Sequence, residues 1–122
     1  MRNKSVIREA FLNNKEFKIT HTVYSLSHPI TKDVFYVGVT QRELNKRLYY
    51  HMVASRLEAG SKKRHFFIRQ LVADGHTPVI EPIENITSCT YEDYLSVFET
   101  EKYWTRQFKE WGFNLVNYQN IK

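Results

Sequence analysis

Ile19-Thr20-His21-Thr22-Val23-Tyr24-Ser25-Leu26-Ser27-His28-Pro29-Ile30-Thr31-Lys32-Asp33-Val34-Phe35-Tyr36-Val37-Gly38-Val39 is the stretch whose periodicity decides the fold. Side chains along a strand alternate between faces, and here Thr22, Tyr24 and Leu26 fall on one side while Val23 and Ser25 fall on the other. Beyond the interruption, Val34, Tyr36 and Gly38 alternate with Phe35, Val37 and Val39. His28 to Asp33 is turn chemistry, so the whole reads as a β-hairpin. A turn centred near Ile30 sets Tyr24 opposite Tyr36 and Leu26 opposite Val34, which makes the two tyrosines cross-strand neighbours. A slip of one residue would separate them.

Outward from the hairpin the period becomes helical. Residues 1–18 form an extension in which Val6, Ile7, Ala10 and Phe11 share one face of a short helix, ended by Asn13-Asn14. On the other side, Leu44, Leu48 and Met52 are the apolar line of a helix from about Gln41 to Leu57. A shorter helix, Lys63 to Ala73, packs through Phe66, Phe67, Leu71 and Val72 and is closed by Gly75. Pro78 to Ile83 reads as a third strand, and Pro82, which has no N–H for a ladder, marks a sheet edge or a strand end. The last helix runs from Tyr91 to Trp111, with Thr90 as its N-cap and Gly112 as its stop. The order (α)ββααβα predicts an α/β (α+β) fold, a small sandwich with a three-stranded, mostly antiparallel sheet flanked by helices. The domain spans 19–118, and 119–122 is a tail.

A chain of 122 residues has room for one such domain and no second. Eight Tyr, eight Phe and two Trp let it build a core without staples, and the single Cys89 excludes an internal disulfide. No apolar run approaches the ~18 residues of a membrane span. With no leader recognisable, the expected setting is soluble and cytoplasmic, with no membrane partner. The formal charge of +5 is unevenly placed. Between Gln41 and Gly75 eight cations (Arg42, Lys46, Arg47, Arg56, Lys62, Lys63, Arg64, Arg69) face Glu43, Glu58 and Asp74, so this segment carries the whole excess. A polyanion should dock there, although a solvated helical surface would produce the same run.

The last helix breaks its own pattern. Tyr94, Val97, Trp104, Phe108 and Trp111 mark an inward stripe, with Leu95 and Phe98 beside it, and Glu101 occupies the stripe position between Val97 and Trp104. A carboxylate on a core-facing seam needs a cation, a metal or a cleft open to water, and a structural Glu–Arg pair would serve equally. Glu99, two positions earlier, is roughly 200° round the helix and should face solvent. On the first long helix Arg47 and His51 are four apart and project to one side. Hairpin tyrosines, an Arg/His pair and a seam Glu together suit hydrolysis of a phosphodiester, which needs a cation on its oxygens, a Lewis acid and a base for water.

Thr22-Val23-Tyr24, Tyr36-Val37-Gly38, Lys46-Arg47-Leu48 with His51, Glu101-Lys102-Tyr103-Trp104 and Gly112-Phe113-Asn114 resemble, in order, the motifs of the GIY-YIG endonuclease domain. The resemblance covers Ile19 to Val116 and is closest to the short stand-alone members of phage and mobile elements and to the catalytic domain of homing endonucleases. It implies a divalent-metal-dependent DNA endonuclease that nicks or cuts both strands, with Mg²⁺ or Mn²⁺ on Glu101 as the single protein ligand. It also implies that Tyr24 and Tyr36 line the cleft, with Tyr36 preferred as the base for water, and that Arg47 holds the scissile phosphate. His51 would assist the nucleophile or the phosphate, and Asn114 would brace the site. Arg42, Lys46, Lys62, Lys63, Arg64, His65 and Arg69 would meet DNA, His65 standing where some relatives carry an extra active-site histidine. Thr22 replaces the first glycine of the name motif, and Val39 stands where some relatives keep a Lys. Tyr36 to Arg47 is one residue longer than expected, which leaves Arg42 as a fallback phosphate ligand. A nucleic-acid-binding module that lost catalysis is the alternative, and a homodimer or a targeting partner would give so short a chain specificity.

Overall fold

The computed structural model describes residues 4–57 and 63–117. Seven elements follow in order: α1 (Lys4–Asn13), β1 (Ile19–Ser27), β2 (Val34–Thr40), α2 (Leu44–Leu57), α3 (Lys63–Ala73), β3 (Val79–Ser88) and α4 (Tyr91–Glu110). β1 is the central strand of a sheet ordered β2-β1-β3, antiparallel to both neighbours. α2 and α3 pack together over one face, through Tyr24, Leu26, Phe35, Tyr36, Ile68 and Leu71. α1 and α4 serve the other, where Ile7, Phe11, Ile19 and Tyr94 form a second cluster. The α+β class and the element order are those the sequence predicts.

The hairpin register differs from the expected one by two residues. Tyr24 pairs with Gly38 and Leu26 with Tyr36, while Ser27 pairs with Val34. Two features move it. The turn is wider, closed by His28 N donating to Asp33 O (2.9 Å), with Lys32 in the left-handed region at φ 69°. A bulge at Leu26/Ser27 then leaves Phe35 as an extra residue on β2. Because the offset is even, Tyr24 and Tyr36 keep a common face and become diagonal neighbours with ring centroids 6.2 Å apart, whereas Phe35 changes sides. The bulge lets Phe35 join Tyr36 on the α2/α3 side, where it stacks on Phe67 at 4.4 Å.

β3 is an edge strand, as Pro82 suggests, but runs to Ser88 rather than ending at Ile83. A bulge at Val23/Tyr24 absorbs Ile83, after which Thr22 donates to Asn85 Oδ1 (2.8 Å) and Thr20 meets Thr87 (3.2 Å). Polar cross-strand pairs hold the added length. On α3 the inward residues are His65, Ile68 and Leu71, whereas Phe66 and Val72, expected inside, are exposed. On α4, Tyr94, Val97 and Thr105 are buried, and Trp111 lies beyond the helix end and is 57% exposed. Thr90 caps α4 by accepting from Asp93 N (3.1 Å). On α1, Ile7 and Phe11 point inward and Val6 outward.

After Gly112, at φ 99°, the chain returns along the free edge of β2. Val116 N donates to Phe35 O (2.7 Å), and the Asn117 amide both accepts from Val37 N (3.2 Å) and donates to Val37 O (2.8 Å). One side chain thus supplies what a fourth strand would, and blunts an edge otherwise open to pairing. Among the described residues no helix is long and apolar enough to cross a membrane.

Candidate active site

Everything in the site converges on one hydroxyl. Tyr24, fully buried at the middle of the central strand, lies with its Oη 2.7 Å from His51 Nε2 and accepts a hydrogen bond from Arg47 Nε at 3.1 Å. Arg47 and His51 are one turn apart on α2, so a single helical face delivers both. The Tyr36 ring closes the group, 5.4 Å from the His51 ring. Directly across β2 from Tyr24 stands Gly38, where an added Cβ would come within 2.5 Å of Tyr24 Oη and 2.7 Å of its Cζ. The tyrosine ring occupies the space that a side chain at 38 would need.

Electrostatics fix the resting protonation. Burial raises the Tyr24 phenol well above its usual value, neighbouring Tyr36 adds to this, and Arg47 and Arg64 only partly oppose it. Tyr24 therefore rests as a phenol. Burial, aided by the positive charges of Arg47 and Arg64 and by His65, lowers His51 to about 3. Arg47 donates to the phenol oxygen, and in the tautomer of neutral His51 that carries its proton on Nδ1 the Tyr24 hydrogen points to Nε2.

Glu101 stands half-buried on α4, its carboxyl raised by burial and lowered, in smaller measure, by Arg47 and then Lys102. Among the described residues it forms no ion pair, and Lys102 instead contacts exposed Glu99 at 3.6 Å. No group of three or more His, Cys, Asp or Glu that could hold a metal exists among those residues. A lone, partly desolvated carboxylate of this kind fits a hard divalent cation that keeps most of its waters.

A cleft of about 350 Å³ opens beside this group, between α2 and α3, with Arg42, Arg47, Tyr50, His51, Arg64 and His65 among its walls. Arg64 holds its guanidinium 5.4 Å from the centre of the Tyr36 ring, and its buried Nε has no hydrogen-bond partner among the described residues. His65 is buried in the wall beside it. Arg42 is exposed and stacks over Tyr50 at 4.6 Å. Lys46 and Lys63 are exposed on α2 and α3, and Lys62 lies outside the described residues. Arg69 donates to Ser55 O (2.7 Å), tying α3 to α2. Asn114 is exposed on the loop, and the bracing of β2 comes from Asn117 three residues on. Sequence reasoning missed Tyr50 and Asn117. A tyrosine in a basic helix was the available sign of the first, and nothing local distinguished the second.

The profile of the GIY-YIG catalytic domain matches residues 20–114, most of the chain. No curated protein and no solved structure gives a significant match.

Proposed function

The chain belongs to the GIY-YIG catalytic-domain family, a family of endonucleases, and from this we propose that it is a divalent-metal-dependent DNA endonuclease hydrolysing phosphodiester bonds. The observation that carries the reading is the Tyr24 hydroxyl held between Arg47 and neutral His51. With a water admitted to the buried Oη as substrate binds, that water gives a proton to Tyr24 as Tyr24 passes its own to His51 Nε2; the hydroxide forms the new P–O bond, and the ester oxygen leaves and takes up a proton from solvent. A relay of this kind needs no tyrosinate, which suits a phenol whose acidity burial has suppressed. Tyr24 takes the role of base in this reading because its hydroxyl lies between Arg47 and His51, the latter at 2.7 Å. The anionic phosphate, arriving beside Arg47 and Arg64, offsets the positive charges that add to burial in holding His51 neutral and so eases its protonation. Arg47 neutralises charge on the non-bridging oxygens. Mg²⁺ or Mn²⁺ at Glu101, when bound, supplies Lewis-acid charge to the phosphate. Exposed Arg42, Lys46 and Lys63 attract the backbone without regard to sequence.

Incubation with supercoiled plasmid, with Mg²⁺ or with EDTA, tests the proposal. Nicking by the wild type that stops in EDTA and in Glu101→Ala is expected. Equal nicking by wild type and Glu101→Ala would overturn the role given to Glu101, and binding without cleavage in any divalent ion would leave only a binding module.

A further inference from the structure

The cleft contains more than a phosphate requires. Arg42, Arg47 and Arg64 already supply its cations, yet α2 also presents Tyr50, Val53, Ala54 and Leu57 to it. These four recur at the spacing of one helical face and continue the line of Arg47 and His51 toward the end of α2. Tyr50 is 44% and Leu57 77% exposed, so this wall is uncovered among the described residues. Arg42 covers one face of the Tyr50 ring at 4.6 Å and so orients it, which leaves the opposite face as the platform for a base. Phosphate and sugar have no use for such a wall, and in duplex DNA the faces of the bases are hidden in the stack. The flat, apolar face of an unstacked base is complementary to it. The cleft's volume, about 350 Å³, is within the roughly 300–1,000 Å³ of sites that hold small ligands.

We propose that this cleft takes an unpaired nucleobase adjoining the scissile phosphate, stacked on Tyr50 and packed against Val53, Ala54 and Leu57, so that single-stranded or locally unpaired DNA is the preferred substrate. The inference rests on the nuclease reading for the identity of the polymer. Three arginines around an apolar floor match the alternation of phosphates and base along one strand. Tyr50 then determines specificity without taking part in the bond-breaking step.

The test measures binding in EDTA, where nothing is cut, to oligothymidylate and to an abasic strand of equal length and charge. The wild type should bind oligothymidylate about tenfold tighter, Tyr50→Phe should keep that preference, and Tyr50→Ala should lose most of it. With Mg²⁺, a single strand should be cut faster than the matching duplex. Equal affinity of the wild type for the two strands overturns the proposal, as does a Tyr50→Ala that weakens both equally. Base discrimination with no cleavage of plasmid or single strand in Mg²⁺ would sink the nuclease reading instead, and cleavage without discrimination would sink only this site.

Discussion

Each face of the sheet buries a histidine, and the two stand in different surroundings. His51, under α2, is 2% exposed, and His21, on β1 facing α4, is 4% exposed. Burial lowers the basicity of both. His51 nevertheless has a hydroxyl at 2.7 Å, which an arginine also holds, and a cleft beside it. His21 has the Tyr94 ring, centroids 5.8 Å apart, and an Nδ1 with no hydrogen-bond partner among the described residues. Burial alone therefore does not make a histidine functional. A hydroxyl within hydrogen-bond reach and a cleft alongside separate the two, and on them rests the role proposed for His51.

The largest expected difference follows from that contrast. His51→Gln, which can still hydrogen-bond but cannot carry the proton, should slow plasmid nicking by about a thousandfold, within the ~10²–10⁴ range of a lost general base. The chain should stay folded, and a drop of less than tenfold would remove His51 from the relay. Next in size is Gly38→Ala. The added methyl must displace the Tyr24 ring, and a shift of about 1 Å in a reacting group costs on the order of a hundredfold in rate. Its readout is kcat at saturating DNA, with binding in EDTA unchanged. Unchanged nicking would mean that the ring has slack to move and that its position is not critical.

Much of this site was legible before the structure, and the reason is its dependence on spacing. Strand alternation placed Tyr24 and Tyr36 on one face even though the register was two residues off, because an even error preserves faces. Helical spacing likewise brought Arg47 and His51 together and exposed Glu101 as a seam anomaly. Information that spacing does not carry was lost. The bulge at Phe35 arises from how two strands meet the turn, and Asn117 acts on β2 from 80 positions away. The inward choice of His65 over Phe66 on α3 went against hydropathy. Gly38 belongs to a motif in the sequence, but its close approach to Tyr24 is a property of the fold.

The smallest effect concerns His21 and completes the contrast. A buried polar atom without a partner costs about 1–3 kcal/mol, and an apolar residue of similar size avoids that cost. His21→Leu should therefore stabilise the protein at neutral pH by roughly 1 kcal/mol while leaving nicking unaltered. Acid sharpens the distinction. Both histidines have folded-state pKa values below 6.5, so the folded chain binds fewer protons than the unfolded one in the window beneath that value. Their stability contribution is complete above pH 6.5 and is lost as pH falls, for His51 down to about 3. Glu101 has the opposite sign, its carboxyl being raised from 4.5, and offsets part of the loss as it takes up a proton. Thermal melts between pH 7 and 4 should thus show Tm falling in the wild type and falling less steeply in both His21→Leu and His51→Gln. Only His51→Gln should also lose nicking. If His21→Leu were to slow cleavage, the two faces of the sheet would be coupled, and the division between a structural and a catalytic histidine would fail.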